Sequence, residues 1–169
     1  MAKGIIIAAF ATCGKSFLGK KYSNVIDLES SKYKFEYNEK EESIPVEERK
    51  GTKRKRNKEW PLNYYKAIKD SVDAYDIVLI QLKPEHFDYL DKNNIKYSIA
   101  YPNINDWSAV NKKCITRGNN EHFIKRLKEV FIPYYEDSLK RDYEKLYIID
   151  KNKTLEDSLL ENNIKLIEK

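Results

Sequence analysis

The sequence is poor in the residues that build disulfide frameworks and metal clusters. It contains two cysteines, Cys13 and Cys114, which have no CxxC-type spacing, and two histidines, His86 and His122. Two cysteines are too few for a disulfide framework, and the two histidines supply no metal cluster. We therefore expect neither a disulfide-stabilised fold nor a structural zinc site.

Long apolar runs are also missing. None approaches the roughly 20 residues that cross a bilayer, and the N-terminus lacks a signal-peptide pattern because its apolar run 5–10 passes straight into a predicted loop and helix. The sequence has no internal repeat and no low-complexity linker. With 169 residues, of which 41% are hydrophobic, the chain is long enough to bury one core. We predict a single domain, residues 1–169, in the cytoplasm and without a membrane partner.

Charge is distributed unevenly, although the net charge of +5 is modest. Residues 36–48 carry six acids and one lysine, and residues 49–58 carry seven bases and no acid. A block of like charge is typical of an exposed loop or an interaction segment. The basic block favours an anionic partner, which is either a nucleotide phosphate or a nucleic-acid backbone.

Short apolar runs alternate with amphipathic stretches along the whole chain. The apolar runs predict buried strands at 4–9, 24–28, 76–81, 95–101 and 145–150. The amphipathic stretches predict helices at 14–21, from Pro61 onward, at 84–94, after Gly118, and near the C-terminus, where Thr154 and Asp157 form a capping pair. Strands that alternate with helices predict an α/β fold of about five parallel strands between helices.

A parallel sheet of this kind binds its ligands beyond the carboxyl ends of its strands. The loops that follow the predicted strands should therefore surround one site. They are residues 9–14, 28–60, 81–85 and 101–118.

The first of these loops has the features of a phosphate-binding loop. Residues 9–16 match the pattern G-x-x-x-x-G-K-[ST] at every required position except the first, where Ala9 stands. In that pattern, backbone N–H groups and the lysine hold the phosphates, and the hydroxyl holds magnesium. Alanine fits the first position as long as its φ is negative. The sequence predicts that ATP is bound by Ala11, Thr12, Cys13, Gly14, Lys15 and Ser16, and that Ser16 is the Mg²⁺ ligand. The alternative is an ordinary strand-to-helix turn.

Four further motifs follow the loop along the chain. They are Asp27-Leu28-Glu29-Ser30-Ser31, Arg56-Asn57 followed by Trp60-Pro61-Leu62-Asn63-Tyr64, Tyr101-Pro102, and Arg117-Gly118-Asn119-Asn120. With these motifs, residues 4 to about 131 resemble the small phage and prophage P-loop kinases related to nucleoside and deoxynucleoside monophosphate kinases. The resemblance implies a P-loop NTPase fold of the nucleotide kinase type and a role in deoxynucleotide metabolism. It also implies a substrate-binding insertion at about 30–60 and a lid at about 102–118.

Phosphoryl transfer requires positioned substrates and neutralisation of the charge that moves between them. Lys15 and Arg117 are the candidates for this neutralisation. Asp27 is placed to orient an acceptor hydroxyl, to accept its proton, or to hold magnesium waters. The structural alternatives are a solvated Arg117 and an Asp27 that caps the following turn.

The candidates for substrate binding are Asp27, Glu29, Arg56 and Tyr64. Arg56 matches the acceptor-phosphate arginine that the resemblance implies. Tyr64, like Trp60 and Tyr65, is placed to stack on a nucleobase. Core packing of these aromatic side chains is the alternative interpretation.

Two residues depart from the family pattern. Ala9 replaces the usual glycine, and the third predicted strand ends in Gln81, so the usual acidic magnesium ligand is missing. Magnesium would then be held by Ser16, ATP oxygens and waters, with Asp27 behind them.

These observations leave three hypotheses about function. The first is an ATP-dependent kinase that acts on a nucleoside monophosphate or a nucleoside. The second, based on the basic block 49–58, is a kinase that acts on nucleic acid, at an end or at a modified base. The third, based on Ala9 and Gln81, is a relative that has lost turnover. A homodimer is compatible with all three.

Overall fold

A parallel sheet forms the centre of the structure, a computed structural model that describes residues 3–169. The strands are β1 (Ile5–Ala9), β2 (Val25–Asp27), β3 (Phe35–Glu36), β4 (Lys55–Arg56), β5 (Ile77–Gln81), β6 (Ser98–Pro102) and β7 (Leu146–Ile149). Five of them form one parallel sheet in the order β2-β5-β1-β6-β7. The strands β3 and β4 pair separately as an antiparallel ribbon.

Helices connect the strands of the sheet. They are α1 (Lys15–Lys21), α2 (Ser31–Lys34), α3 (Glu39–Glu42), α4 (Val46–Arg49), α5 (Leu62–Ala74), α6 (Pro84–Lys92), α7 (Trp107–Thr116), α8 (Glu121–Leu139) and α9 (Leu155–Glu161). Within residues 3–169, none of them is long and apolar enough to cross a membrane. The predicted α/β fold with about five parallel strands between helices is confirmed.

The strands at the centre of the sheet are continuous apolar runs because helices cover both of their faces. Ile7, Leu79 and Ile99, from β1, β5 and β6, are all fully buried. The chain leaves β1 toward β2, but it leaves β5 and β6 in the opposite direction, toward β7. Because crossovers between parallel strands are right-handed, α1 lies on one face of the sheet, and α5, α6 and α8 lie on the other face. The connection that leaves β1 thus runs opposite to those that leave its neighbours β5 and β6. A ligand crevice is expected outside the carboxyl end of a strand at which the direction changes in this way.

The predicted capping pair near the C-terminus is confirmed. The Thr154 side chain accepts a hydrogen bond from the Asp157 backbone N–H, and the Asp157 carboxylate accepts one from the Thr154 N–H. This pair starts α9, and the N–H of Leu155 then donates to the Cys13 carbonyl at 3.0 Å. The helix α9 therefore supports the loop that follows β1.

Some elements were not expected from the sequence. The lid region 102–118 contains α7, and the region 30–60 contains α2, α3, α4 and the β3–β4 ribbon. Elements of two to four residues are too short to show a hydrophobic period.

Candidate functional site

A cavity of about 1240 Å³ opens at the carboxyl edge of the sheet. Each of the four loops that the sequence predicted to surround one site contributes residues to its wall. Helices α7 and α8 and residues 151–154 complete the wall. The volume is sufficient for a nucleotide and a second small molecule, because sites for drug-sized ligands occupy roughly 300–1,000 Å³.

The loop after β1 has an unusual backbone. Thr12 and Gly14 both have positive φ, 74° and 101°. Ala9, by contrast, is an extended residue of β1 and pairs in register with Gln81 and Ala100. Alanine therefore fits at the first position of the loop pattern, whereas Thr12 and Gly14 both occupy the left-handed region that favours glycine.

The side chains of Lys15 and Ser16 begin α1 and line the cavity. The Lys15 Nζ lies 3.4 Å from the Ala9 carbonyl oxygen. Among residues 3–169, no carboxylate lies within ion-pair distance of this ammonium group. The ammonium group of Lys15 is therefore available to an anion in the cavity.

Asp27 ends β2 directly beside the loop. The Ser16 hydroxyl donates to its Oδ2 at 3.3 Å, and its buried Oδ1 has no hydrogen-bond partner among the described residues. Burial raises the pKa of Asp27, and the charge of Lys15 opposes that shift. Gly19 permits this arrangement, because a Cβ there would lie only 2.9 Å from the Asp27 Cβ.

The Ser16 and Asp27 oxygens fit a magnesium ion. Mg²⁺ takes hard oxygen ligands and is usually held by one or two protein groups together with phosphate oxygens and waters. The buried Oδ1 of Asp27 without a partner is an oxygen of this kind. No cluster of three or more His, Cys, Asp or Glu side chains that could hold a metal occurs within residues 3–169.

Gln81 stands at the end of β5, where a magnesium-binding acid would be usual. Its side-chain oxygen lies 3.3 Å from the His86 Nε2. Burial, with the nearby charges of Lys83 and Lys34, lowers the pKa of His86 to about 4. The histidine is therefore neutral at pH 7 and pairs with the Gln81 amide.

Glu29 follows β2 and also lines the cavity. Burial acts to raise the pKa of this carboxyl, but the charges of Lys50 and Lys15 and a hydrogen bond from the Ser31 N–H outweigh burial and lower it. Glu29 is therefore ionised at neutral pH, and its negative charge is one reason why the pKa of Asp27 is raised.

Arg117 reaches the cavity but is already paired. Its Nη2 donates to Glu47 Oε1 at 2.8 Å, and the Asn119 side chain donates to Glu47 Oε2 at 2.8 Å. Lys50 also lies 3.1 Å from the same carboxylate. These contacts join α4, in the predicted insertion, to the segment between α7 and α8.

Four predicted site residues are not part of the cavity wall: Cys13, Asp27, Arg56 and Tyr64. Arg56 is exposed on the ribbon, whereas Arg54 lines the cavity because it packs 3.9 Å from the centroid of the Phe35 ring. The Cys13 side chain is buried behind the loop, and burial raises its pKa to about 12. Of these two arginines, Arg54 therefore lines the cavity wall and the predicted Arg56 does not, and Cys13 can contribute only backbone atoms to the loop.

Tyr64 has a structural position instead of the predicted stacking position. It is fully buried, its hydroxyl donates to the Leu28 carbonyl at 3.0 Å, and the same hydroxyl accepts from the Gln81 N–H at 3.0 Å. The hydroxyl thus joins the ends of β2 and β5. The prediction of base stacking by Tyr64 is corrected, because its ring faces the core.

We expect Tyr64→Phe to lower the free energy of unfolding by about 1–3 kcal/mol, because the carbonyl of Leu28 and the N–H of Gln81 lose their shared partner. Urea denaturation measures this change. Tyr33→Phe is the matched control, since the Tyr33 hydroxyl has no hydrogen-bond partner within residues 3–169. Equal losses in the two variants would contradict the role assigned to Tyr64.

Sequence reasoning missed several cations of the cavity wall. Lys34, Lys83 and Arg126 line it from α2, the end of β5 and α8. No spacing could have found them, because they come from separate elements and meet only in the folded chain.

Comparisons with known proteins give little further information. No protein-family model and no curated protein matches the sequence. Among solved structures, the crystal structure of a sulfotransferase from Alicyclobacillus acidocaldarius matches at 11% identity with a TM-score of 0.42, over 96% of this chain and 76% of that chain. No conclusion about this chain follows from a similarity that low.

Proposed function

We propose that this chain is an ATP-dependent phosphotransferase that acts on a nucleoside monophosphate or a nucleoside. One observation carries the proposal: the loop 9–16 opens into a cavity whose wall contains eleven lysine and arginine side chains and one carboxylate, that of Glu29. A cavity of this charge favours polyanionic ligands. The loop provides the place for the triphosphate, and the remaining volume provides the place for an acceptor.

In this proposal, Lys15 and the N–H groups of the loop hold the outer phosphates of ATP. Ser16 and Asp27 would hold Mg²⁺, which would neutralise part of the charge of the phosphates. An acceptor oxygen attacks the γ-phosphorus, the bond from that phosphorus to the β–γ bridging oxygen breaks, and ADP leaves. When the acceptor is a hydroxyl, Glu29, the carboxylate of the cavity wall, accepts its proton.

The proposal assigns Arg117 to the charge that develops on the transferred phosphoryl group. Its guanidinium must leave Glu47 to do so. A phosphate can replace the carboxylate, because arginine binds both groups with the same planar fork. Closure of the segment 102–120 over the nucleotide would then exclude water.

A panel of acceptors tests the proposal. Purified protein is incubated with Mg-ATP and with each of the common ribo- and deoxynucleosides and their 5′-monophosphates, and ADP release is measured. We expect release that depends on the acceptor and is abolished in Lys15→Ala. If no acceptor stimulates ADP release, the proposal fails and a relative without turnover becomes the better interpretation.

A kinase that acts on nucleic acid is the second candidate, and one observation favours it. The basic block 49–58 enters the cavity through Lys50 and Arg54, while Lys53, Lys55 and Arg56 remain exposed beside it. A polynucleotide acceptor would show binding that weakens steeply with salt. Unchanged oligonucleotide binding after charge reversal at 53–56 would remove this candidate.

A further inference from the structure

Four cations line one part of the cavity without any acidic partner. Lys34 ends α2, Arg54 precedes β4, Lys83 follows β5, and Arg126 lies on α8. Within residues 3–169, none of the four has a carboxylate within 4 Å. Four separate elements thus bring like charges together, which is unfavourable unless something compensates.

Aromatic rings hold part of this cluster in place. The Arg54 guanidinium lies 3.9 Å from the Phe35 ring centroid, and the Lys34 Nζ lies 5.2 Å from the same centroid and 6.0 Å from that of Trp60. Such cation–π contacts attract a positive charge without neutralising it. The Arg54 Nε is also buried and has no hydrogen-bond partner among residues 3–169.

Burial and the neighbouring positive charges both act on the Lys34 ammonium group. Burial comes first, and the charges of Lys83, Arg56, Arg54 and Arg126 add to it, so that the pKa of Lys34 falls to about 8. A bound anion would oppose this fall in pKa, because its negative charge favours the protonated form of Lys34.

This cluster is separate from the phosphate loop. Lys15 and Lys50 are the cations whose charges lower the pKa values of Asp27 and Glu29, whereas the cations that act most on Lys34 are Lys83, Arg56, Arg54 and Arg126. The cavity therefore has two cationic regions, with the carboxylates of Asp27 and Glu29 beside the first. One triphosphate at the loop leaves the second region without a counterion.

We infer that Lys34, Arg54, Lys83 and Arg126 form a second anion site, which binds a phosphate group that the acceptor already carries. The acceptor is thus a nucleotide unit, with either the phosphomonoester of a free nucleotide or the phosphodiester of an oligonucleotide, and not a neutral nucleoside. The inference rests on the proposed function, because it uses the loop as the site of the donor.

Binding measured in the absence of turnover tests the second site. Calorimetry is performed with saturating Mg-ADP, which fills the donor site, and the ligands are deoxynucleosides, their 5′-monophosphates, and a short single-stranded oligodeoxynucleotide. We expect a phosphate-bearing ligand to bind at least about tenfold more tightly than the nucleosides, because only its negative charge pairs with the four cations. The class of ligand that binds identifies the source of the phosphate.

Lys83→Gln and Arg126→Gln should each weaken that binding about tenfold or more and leave Mg-ADP binding unchanged. Lys128→Gln is the matched control, because it removes one charge from an exposed position of α8 outside the cavity wall. The inference is overturned if no phosphate-bearing ligand binds more tightly than the nucleosides, or if the variants behave like the control. Loss of ATP-dependent turnover with intact monophosphate binding would instead count against the proposed function alone.

Discussion

Lys15→Ala should weaken the binding of Mg-ATP at least about tenfold and lower kcat by about 10²–10³. The reason is the position of the ammonium group, which lies at the loop, faces the cavity and has only a 3.4 Å contact with the Ala9 carbonyl. A charge held so loosely in the absence of ligand is free to bind phosphate oxygens. Calorimetry with Mg-ATP measures the affinity, and ADP release measures kcat.

The fold should not change in Lys15→Ala, because the side chain has no ion pair within the described residues and contributes little to packing. Equal urea denaturation midpoints for wild type and variant would check this. Lys32→Ala removes an exposed lysine of α2 outside the cavity wall and should leave ATP binding unaltered. Should wild type and Lys15→Ala bind Mg-ATP equally, or should neither bind it, the loop is an ordinary turn.

Arg117→Ala should lower kcat by about 10³ or more, because an arginine that reaches the transferred phosphoryl group contributes about 10³–10⁵ in related reactions. The affinity for Mg-ATP should change much less, since the interaction is strongest in the transition state. Steady-state kinetics with the best acceptor of the panel separates the two effects.

Glu47→Gln distinguishes this catalytic role from a structural one. Both substitutions break the ion pair between Arg117 and Glu47, whose atoms lie 2.8 Å apart. If Arg117 served only to fix α4 against the segment between α7 and α8, the two variants would lose the same activity. We expect Glu47→Gln to retain most of its kcat, because the guanidinium remains present and is released from its carboxylate.

The fold was accessible from the sequence because its signals are local. The runs at 4–9 and 76–81 are apolar, since both faces of β1 and β5 are covered, and the observed strands lie within them. The capping pair of Thr154 and Asp157 was accessible for the same reason, because its hydrogen bonds span three residues. The short elements between 30 and 60 have too few residues for a period.

The site residues also divide into those that a local motif predicts and those whose position depends on tertiary packing. Lys15 and Ser16 are adjacent to Gly14 in a motif whose geometry is set by neighbouring residues. Arg56 matched its motif as well, but the packing of Arg54 on Phe35 determines which arginine lines the cavity. Tyr64 could not be assigned to the core from its spacing, because an aromatic residue on a helix faces core or ligand according to what packs against that helix.

By itself, the sequence determined the α/β alternation, the loop after the first strand and the absence of a carboxylate at Gln81. Only the tertiary structure decided the pairing of Arg117 with Glu47 and the meeting of Lys34 with Lys83 and Arg126. The physical reason is the separation along the chain over which each kind of interaction acts. Backbone propensity, capping and loop geometry act over a few neighbouring residues, whereas a charge cluster is defined by distances across the folded chain.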